Sequence, residues 1–260
     1  MVLGDFQVCV LFLTVGFVLN YNTLDAEFTL DDKWSVLLNP VVKSTHLDWH
    51  ALLSRDYWGN ELSSPSSHKS FRPLTSWTFW MDNNIASSTH QFHKTNVVLH
   101  GLVSFLVYLM AKKAGFKANI ACLSGLLFLV HPIHCECVAN ISGRAEILGA
   151  FFSVSSVLLL MHFLVEEDKP FWSTLVFLCG LCMSLCAVLS KETGIMGVMV
   201  LLLYAHSHGS PNRTQQKAKL GILYAWFILV LVIRVSMNGG KPTFSKFDNP
   251  LLETVDINTL

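Results

Sequence analysis

Apolar positions fall into long runs along this chain instead of alternating with polar ones. Val8–Asn20 is the first run. Val97–Ala111 follows, extending backward through His93, and then Ala118–Val130. Ile147–Val165 and Phe171–Leu189 are the clearest, Ile195–Ala205 is short, and Leu220–Val235 closes the set. A helix needs about 20 apolar residues to cross roughly 30 Å of hydrocarbon. A soluble helix needs a polar face, and several neutral runs in series lack one. The pattern predicts an all-α chain: a polytopic membrane helical bundle of about seven membrane helices. Residues 1–20 are expected to form the first, and residues 93–237 six more with short loops. Residues 21–92 form a polar segment too long for a plain connector, with room for short amphipathic helices. Residues 238–260 begin a further segment, and the chain reads as truncated there.

Composition sharpens this picture. The chain has 260 residues, 52% of them hydrophobic and 14% charged, with zero formal net charge. So apolar a composition excludes disorder, and neutrality gives no basic face for nucleic acid. Seven Cys are too few for a disulfide scaffold. Val8–Asn20 lacks the basic flank and cleavage site of a signal peptide, so it reads as an uncleaved helix. Lys and Arg in short loops set orientation. Lys112, Lys113, Lys117, Lys169, Arg213, Lys217 and Lys219 share one side, which is then cytosolic. The long first loop, the 131–146 loop, Lys191–Thr193 and the segment after Met237 face the lumen or exterior. The sequon at Asn212 is then cytosolic, and the one at Asn140 lies close to the bilayer.

The residues able to do chemistry converge on that second side. Asp31 and Asp32 are adjacent carboxylates beside an apolar surface, where repulsion and desolvation raise proton affinity. Such a group can act as a general base; the plainer reading of Asp31-Asp32 is a helix cap. Arg72 can fork two donors onto a phosphate. His93, Asn96 and His100 share a helical face, and a stripe facing the bundle interior explains them better than a metal. His131, His134 and Glu136 lack zincin spacing, so no metal site is expected. Arg144 and Glu146, and Lys191 and Glu192, sit at helix ends, where snorkelling and ion pairing are the simplest roles. Trp58, Trp77 and Trp80 suit an interfacial belt. Cys179, Cys182 and Cys186 are expected to pack.

Taken together these strings resemble a known family. The segments are Phe28-Thr-Leu-Asp-Asp32, Asn39-Pro-Val-Val42, Asp56-Tyr-Trp-Gly59, His68-Lys-Ser-Phe-Arg-Pro-Leu-Thr75, Phe92-His-Lys-Thr-Asn96 and Leu99-His100. His131-Pro-Ile-His-Cys-Glu136, Gly143-Arg-Ala-Glu146, Ser190-Lys-Glu-Thr-Gly194 and the Pro242–Pro250 stretch continue the set. The chain resembles the N-terminal membrane portion of the transmembrane and tetratricopeptide-repeat containing (TMTC) protein O-mannosyltransferases. That resemblance implies a GT-C glycosyltransferase fold with a large first luminal loop in the endoplasmic reticulum membrane. It implies a dolichyl-phosphate-mannose–protein mannosyltransferase. The sugar would go from dolichyl-phosphate mannose to Ser or Thr hydroxyls of secretory-pathway proteins such as cadherins, with inversion and without a cofactor.

On this footing Asp31 or Asp32 is the catalytic base, and Arg72, Arg144 and Lys191 are candidates for the donor phosphate. His93, His100, His131, His134, Glu136, Glu146 and Glu192 shape the substrate site. The alternatives are a non-catalytic membrane adaptor or an inactive fragment of such an enzyme. A transporter is disfavoured, because the charges cluster at helix ends and no inverted repeat is visible.

Overall fold

The computed structural model of the protein describes residues 3–165, 170–207 and 213–237. Lys169, Asn212, the Pro242–Pro250 stretch and the whole of residues 238–260 lie outside them. Among the described residues the chain is helical throughout. The helices are α1 (Asp5–Leu19), α2 (Pro40–Lys43), α3 (Trp49–Ser54), α4 (Pro73–Ile85), α5 (Thr89–Lys113) and α6 (Ala118–Val130). They continue with α7 (Cys135–Ala139), α8 (Arg144–Val165), α9 (Pro170–Ser190), α10 (Met196–Ser207) and α11 (Arg213–Met237).

Each of the seven apolar runs is a helix, but they are not equally long. Four segments are long and apolar enough to cross a membrane: Thr89–Lys113, Ile141–Leu164, Phe171–Ser190 and Lys217–Met237. A fifth arises if α6 counts with Pro132–Ala139, across a bend of 46°. Pro132 supplies the physical reason, since its ring removes an N–H donor and cannot continue the preceding helix. α1 and α10 are shorter apolar helices. The protein is therefore a helical membrane protein, with four to five spans of sufficient length among the described residues.

Close approach of backbones holds the bundle. A Cβ on Gly125 of α6 would lie 2.5 Å from the Phe12 ring of α1 and 2.8 Å from the Ser104 carbonyl of α5. A Cβ on Gly180 of α9 would lie 2.6 Å from Leu160 of α8. Small residues matter here because lipid offers no hydrophobic drive between helices, and contact area decides. Ser156 Oγ adds a hydrogen bond to the Gly180 carbonyl at 2.8 Å. Cys179 and Cys182 are exposed on α9 and only Cys186 is half-buried, so the expectation that all three pack does not hold. Leu160 and its neighbours fill the α8–α9 contact instead.

The helix ends sort into two groups. At one end Asp5 accepts from Tyr108 Oη at 2.6 Å and pairs with Lys112, while Lys219 Nζ reaches the Phe163 carbonyl. At the other end α1, α6 and α9 finish, α5, α8 and α10 begin, and the tip of α11 arrives. The 20–88 segment packs onto that second end. Asp48 caps α3 through the His50 and Ala51 amides. Asn39 caps α2 through Val41 N and donates to the Tyr57 carbonyl at 3.1 Å. Trp80 Nε1 donates to the Ser44 carbonyl. These bonds give the polar segment a fixed shape above the bundle.

Candidate functional site

A cavity of about 520 Å³ opens at the end of the bundle beneath the first segment. Asp31, Tyr57, Trp58 and Arg72 line it from the first segment. His100 comes from α5, Phe128 from α6, Glu136 from α7, Glu146 from α8, and Lys191 from the break after α9. His134 completes that wall, its ring 4.2 Å from Phe128 and 5.3 Å from His100. Residues far apart in sequence thus share one concave, partly apolar space, the usual form of a ligand site.

The two adjacent aspartates have different surroundings. Asp31 is exposed on the cavity wall. Asp32 is buried, and both its oxygens are occupied: Oδ2 accepts from Thr29 N at 3.1 Å and Oδ1 from Ser142 N at 2.8 Å. Its side chain does not cap the following turn, so the capping reading fails. It pins the first segment to the loop before α8. Burial pushes the Asp32 carboxyl up, against the Thr29 and Ser142 amides that favour its charge. Tyr57 braces the same junction, its hydroxyl donating to the Ser142 carbonyl at 2.6 Å. Burial raises its phenol pKa well beyond the usual range, so it stays a neutral donor. Asp32→Asn would set an amide N–H against Thr29 N–H. We expect it to cost about 1–3 kcal/mol, seen as a lower unfolding temperature of the detergent-purified chain.

The cations separate in the same way. Arg144 does not line the cavity. It is fully buried, 2.6 Å from Asp82, and donates to Asn96 Oδ1 at 2.8 Å, the Phe92 carbonyl at 2.9 Å and the Thr78 carbonyl at 3.2 Å. Its guanidinium also lies 4.6 Å from the Phe79 ring centroid. Every donor is engaged, so the donor-phosphate role expected for Arg144 is replaced by a structural one. Arg72 is half-buried above Tyr57, 5.0 Å from the ring. Its Nε and Nη2 meet Glu192 at 3.0 and 2.9 Å. Lys191 pairs with Glu146. Burial and the charge of Arg72 pull the Lys191 ammonium below its ordinary pKa.

The remaining expected residues divide between wall and scaffold. His100, His134, Glu136 and Glu146 line the cavity, whereas His93, His131 and Glu192 do not. His93, Asn96 and His100 are buried together along α5, as an inward polar stripe requires. His131 is exposed and caps the next turn, accepting from Ile133 N. Among the described residues no group of three His, Cys, Asp or Glu is placed to hold a metal ion. Trp58 stands on the cavity wall, packed edge-on to Tyr57 at 5.0 Å.

The sequence pattern of the dolichyl-phosphate-mannose-protein mannosyltransferases matches residues 68–237. The chain belongs to that family. The matched stretch contains Arg72, the His131–Glu146 loop and Lys191, and begins after Asp31. Among curated relatives, Protein O-mannosyl-transferase F38B6.6 of Caenorhabditis elegans is 33% identical over 235 residues, covering 87% of this chain and 31% of the relative. Mouse Protein O-mannosyl-transferase TMTC1 is 36% identical over 211 residues, covering 76% and 22%. Mouse Protein O-mannosyl-transferase TMTC4 is 32% identical over 286 residues, covering 92% and 38%. The chain therefore spans well under half the length of these relatives. No solved structure matches it.

Two functional-site residues escaped the sequence reading. Arg234 of α11 donates to the Phe71 carbonyl and pairs with Glu192. Glu192 consequently bridges two arginines, one from the first segment and one from α11. The available signal was a lone Arg near the end of an apolar run, which is expensive without a partner. Tyr57 was visible only as part of a motif.

Proposed function

We propose that the protein is a protein O-mannosyltransferase of the endoplasmic reticulum membrane. It would transfer mannose from dolichyl-phosphate mannose to Ser or Thr hydroxyls of secretory-pathway proteins. In this reading all seven apolar helices enter the bilayer, the short α1 and α10 included. The 21–92 segment and the cavity then face the lumen, where acceptors pass. The Lys112–Lys117 and Lys217–Lys219 ends lie on the cytosolic side, in keeping with the excess of positive charge there.

The observation that carries the proposal is the convergence of Asp31, Arg72 and Lys191 on one cavity at the membrane face. Asp31 is the general base that takes the acceptor hydroxyl's proton. The oxygen attacks the anomeric carbon as the bond to dolichyl phosphate breaks. Charge developing on the departing phosphate is met by Arg72 and Lys191, already in position before the reaction. His100, His134 and Trp58 form the wall against which the sugar rests. Direct displacement on a β-linked donor gives an α-linked product. The protein in membrane vesicles, supplied with dolichyl-phosphate mannose and a Ser/Thr peptide, is expected to form a mannosyl peptide cleaved by α-mannosidase. A β-linked product, or no transfer, would overturn the proposal.

A further inference from the structure

Both cations of the proposed phosphate site already hold carboxylates, and the two ion pairs differ in how firmly they are built. Glu192 serves Arg72 and also Arg234, whose side chain is only 7% exposed. If Glu192 moved away, a buried guanidinium would lose its counter-ion, so this pair is fixed. Glu146 serves Lys191 alone among the described residues, and its side chain is 50% exposed against 18% for Lys191. The root of the lysine also packs closely on α8: a Cβ on Gly149 would lie 3.3 Å from Lys191 Cβ. The acid has more room to swing toward solvent than the base. A half-exposed carboxylate regains hydration when it leaves, so the exchange costs little.

Resting on the mannosyltransferase reading, we propose that Glu146 is a displaceable counter-ion for Lys191, a positioning residue that competes with the lipid phosphate for the ammonium. The carboxylate holds Lys191 neutralised when the cavity is empty and yields when a phosphate arrives. It then helps expel dolichyl phosphate after transfer by reclaiming the lysine. One carboxylate thus moderates affinity for donor and product alike, which guards against tight product binding.

The test is a titration of dolichyl phosphate into the protein in lipid nanodiscs, read by Trp58 fluorescence against a Trp58→Phe control. Glu146→Gln is expected to tighten binding about threefold to fivefold, the scale of a partly exposed ion pair. Lys191→Gln is expected to weaken it. In the Lys191→Gln background, adding Glu146→Gln should change nothing, because the pair acts as a unit. Tightening in both backgrounds would make Glu146 a mere repulsive charge and overturn the inference. Unchanged or weaker binding by Glu146→Gln alone would also overturn it, while loss of affinity with Lys191→Gln would leave the phosphate site itself standing. No weakening by Lys191→Gln would instead sink the assignment of Lys191 to the phosphate, and the inference with it. General damage to the fold loosens binding and so cannot mimic the expected gain.

Discussion

Asp31→Asn is expected to reduce mannose transfer by about a hundredfold to ten-thousandfold, the range for a lost general base, while the protein inserts at normal abundance. The expectation rests on access. Asp31 is exposed at the cavity, and its carboxylate makes no hydrogen bond or ion pair among the described residues. Removing its charge disturbs no packing. Its neighbour is the internal control. Asp32 spends both oxygens on backbone amides, so Asp32→Asn should lose protein rather than turnover. The decisive quantity is transfer per molecule of inserted protein, measured for both variants with the same donor and acceptor peptide. Full turnover by Asp31→Asn, with turnover lost by Asp32→Asn at equal abundance, would move the base to Asp32. A simple exposed carboxylate suits the chemistry, because a base must reach the acceptor oxygen before its pKa matters.

Arg144→Ala is expected to have the largest effect on stability. The guanidinium is fully buried and holds Asp82, Asn96 and two backbone carbonyls together. Its removal leaves Asp82 charged, buried and without a counter-ion. Breaking one side of such a pair costs about 3–5 kcal/mol, a large share of the roughly 5–15 kcal/mol that keeps a protein folded. The variant should be scarce in membranes and unfold at a much lower temperature after extraction. Arg144→Lys should rescue only in part, since an ammonium lacks the planar fork that serves four acceptors. A wild-type unfolding temperature combined with weakened dolichyl phosphate binding would show that Arg144 belongs to the phosphate after all.

Some of this molecule could be read directly from its residues. The seven apolar runs became seven helices because an uninterrupted neutral run is a local property of a sequence, although only four to five of them reach spanning length among the described residues. The inward stripe of His93, Asn96 and His100 was legible for the same reason: helical periodicity is local. The roles of neighbouring charges were not. Asp31 and Asp32 are chemically identical, and burial of Asp32 against Thr29 and against Ser142, 110 positions away, separates them. Arg72 and Arg144 both precede or begin helices, yet one reaches a cavity and the other a closed network built from α4, α5 and α8. Arg234 was hidden within an apolar run until Glu192 was seen beside it. The family resemblance supplied the chemistry, and the fold then sorted which side chains are placed to perform it.

The bridge at Glu192 bears on the order in which the molecule is made. Its arginines come from positions 72 and 234, so the first is synthesised long before the second. A nascent chain holding α9 and α10 but not yet α11 has a carboxylate with one partner and a Phe71 carbonyl still waiting for its donor. The support behind Arg72 is therefore finished by one of the later helices to be made. Until α11 docks, Arg72 is held from one side only. The seating of Arg72 is thereby completed only as the bundle closes.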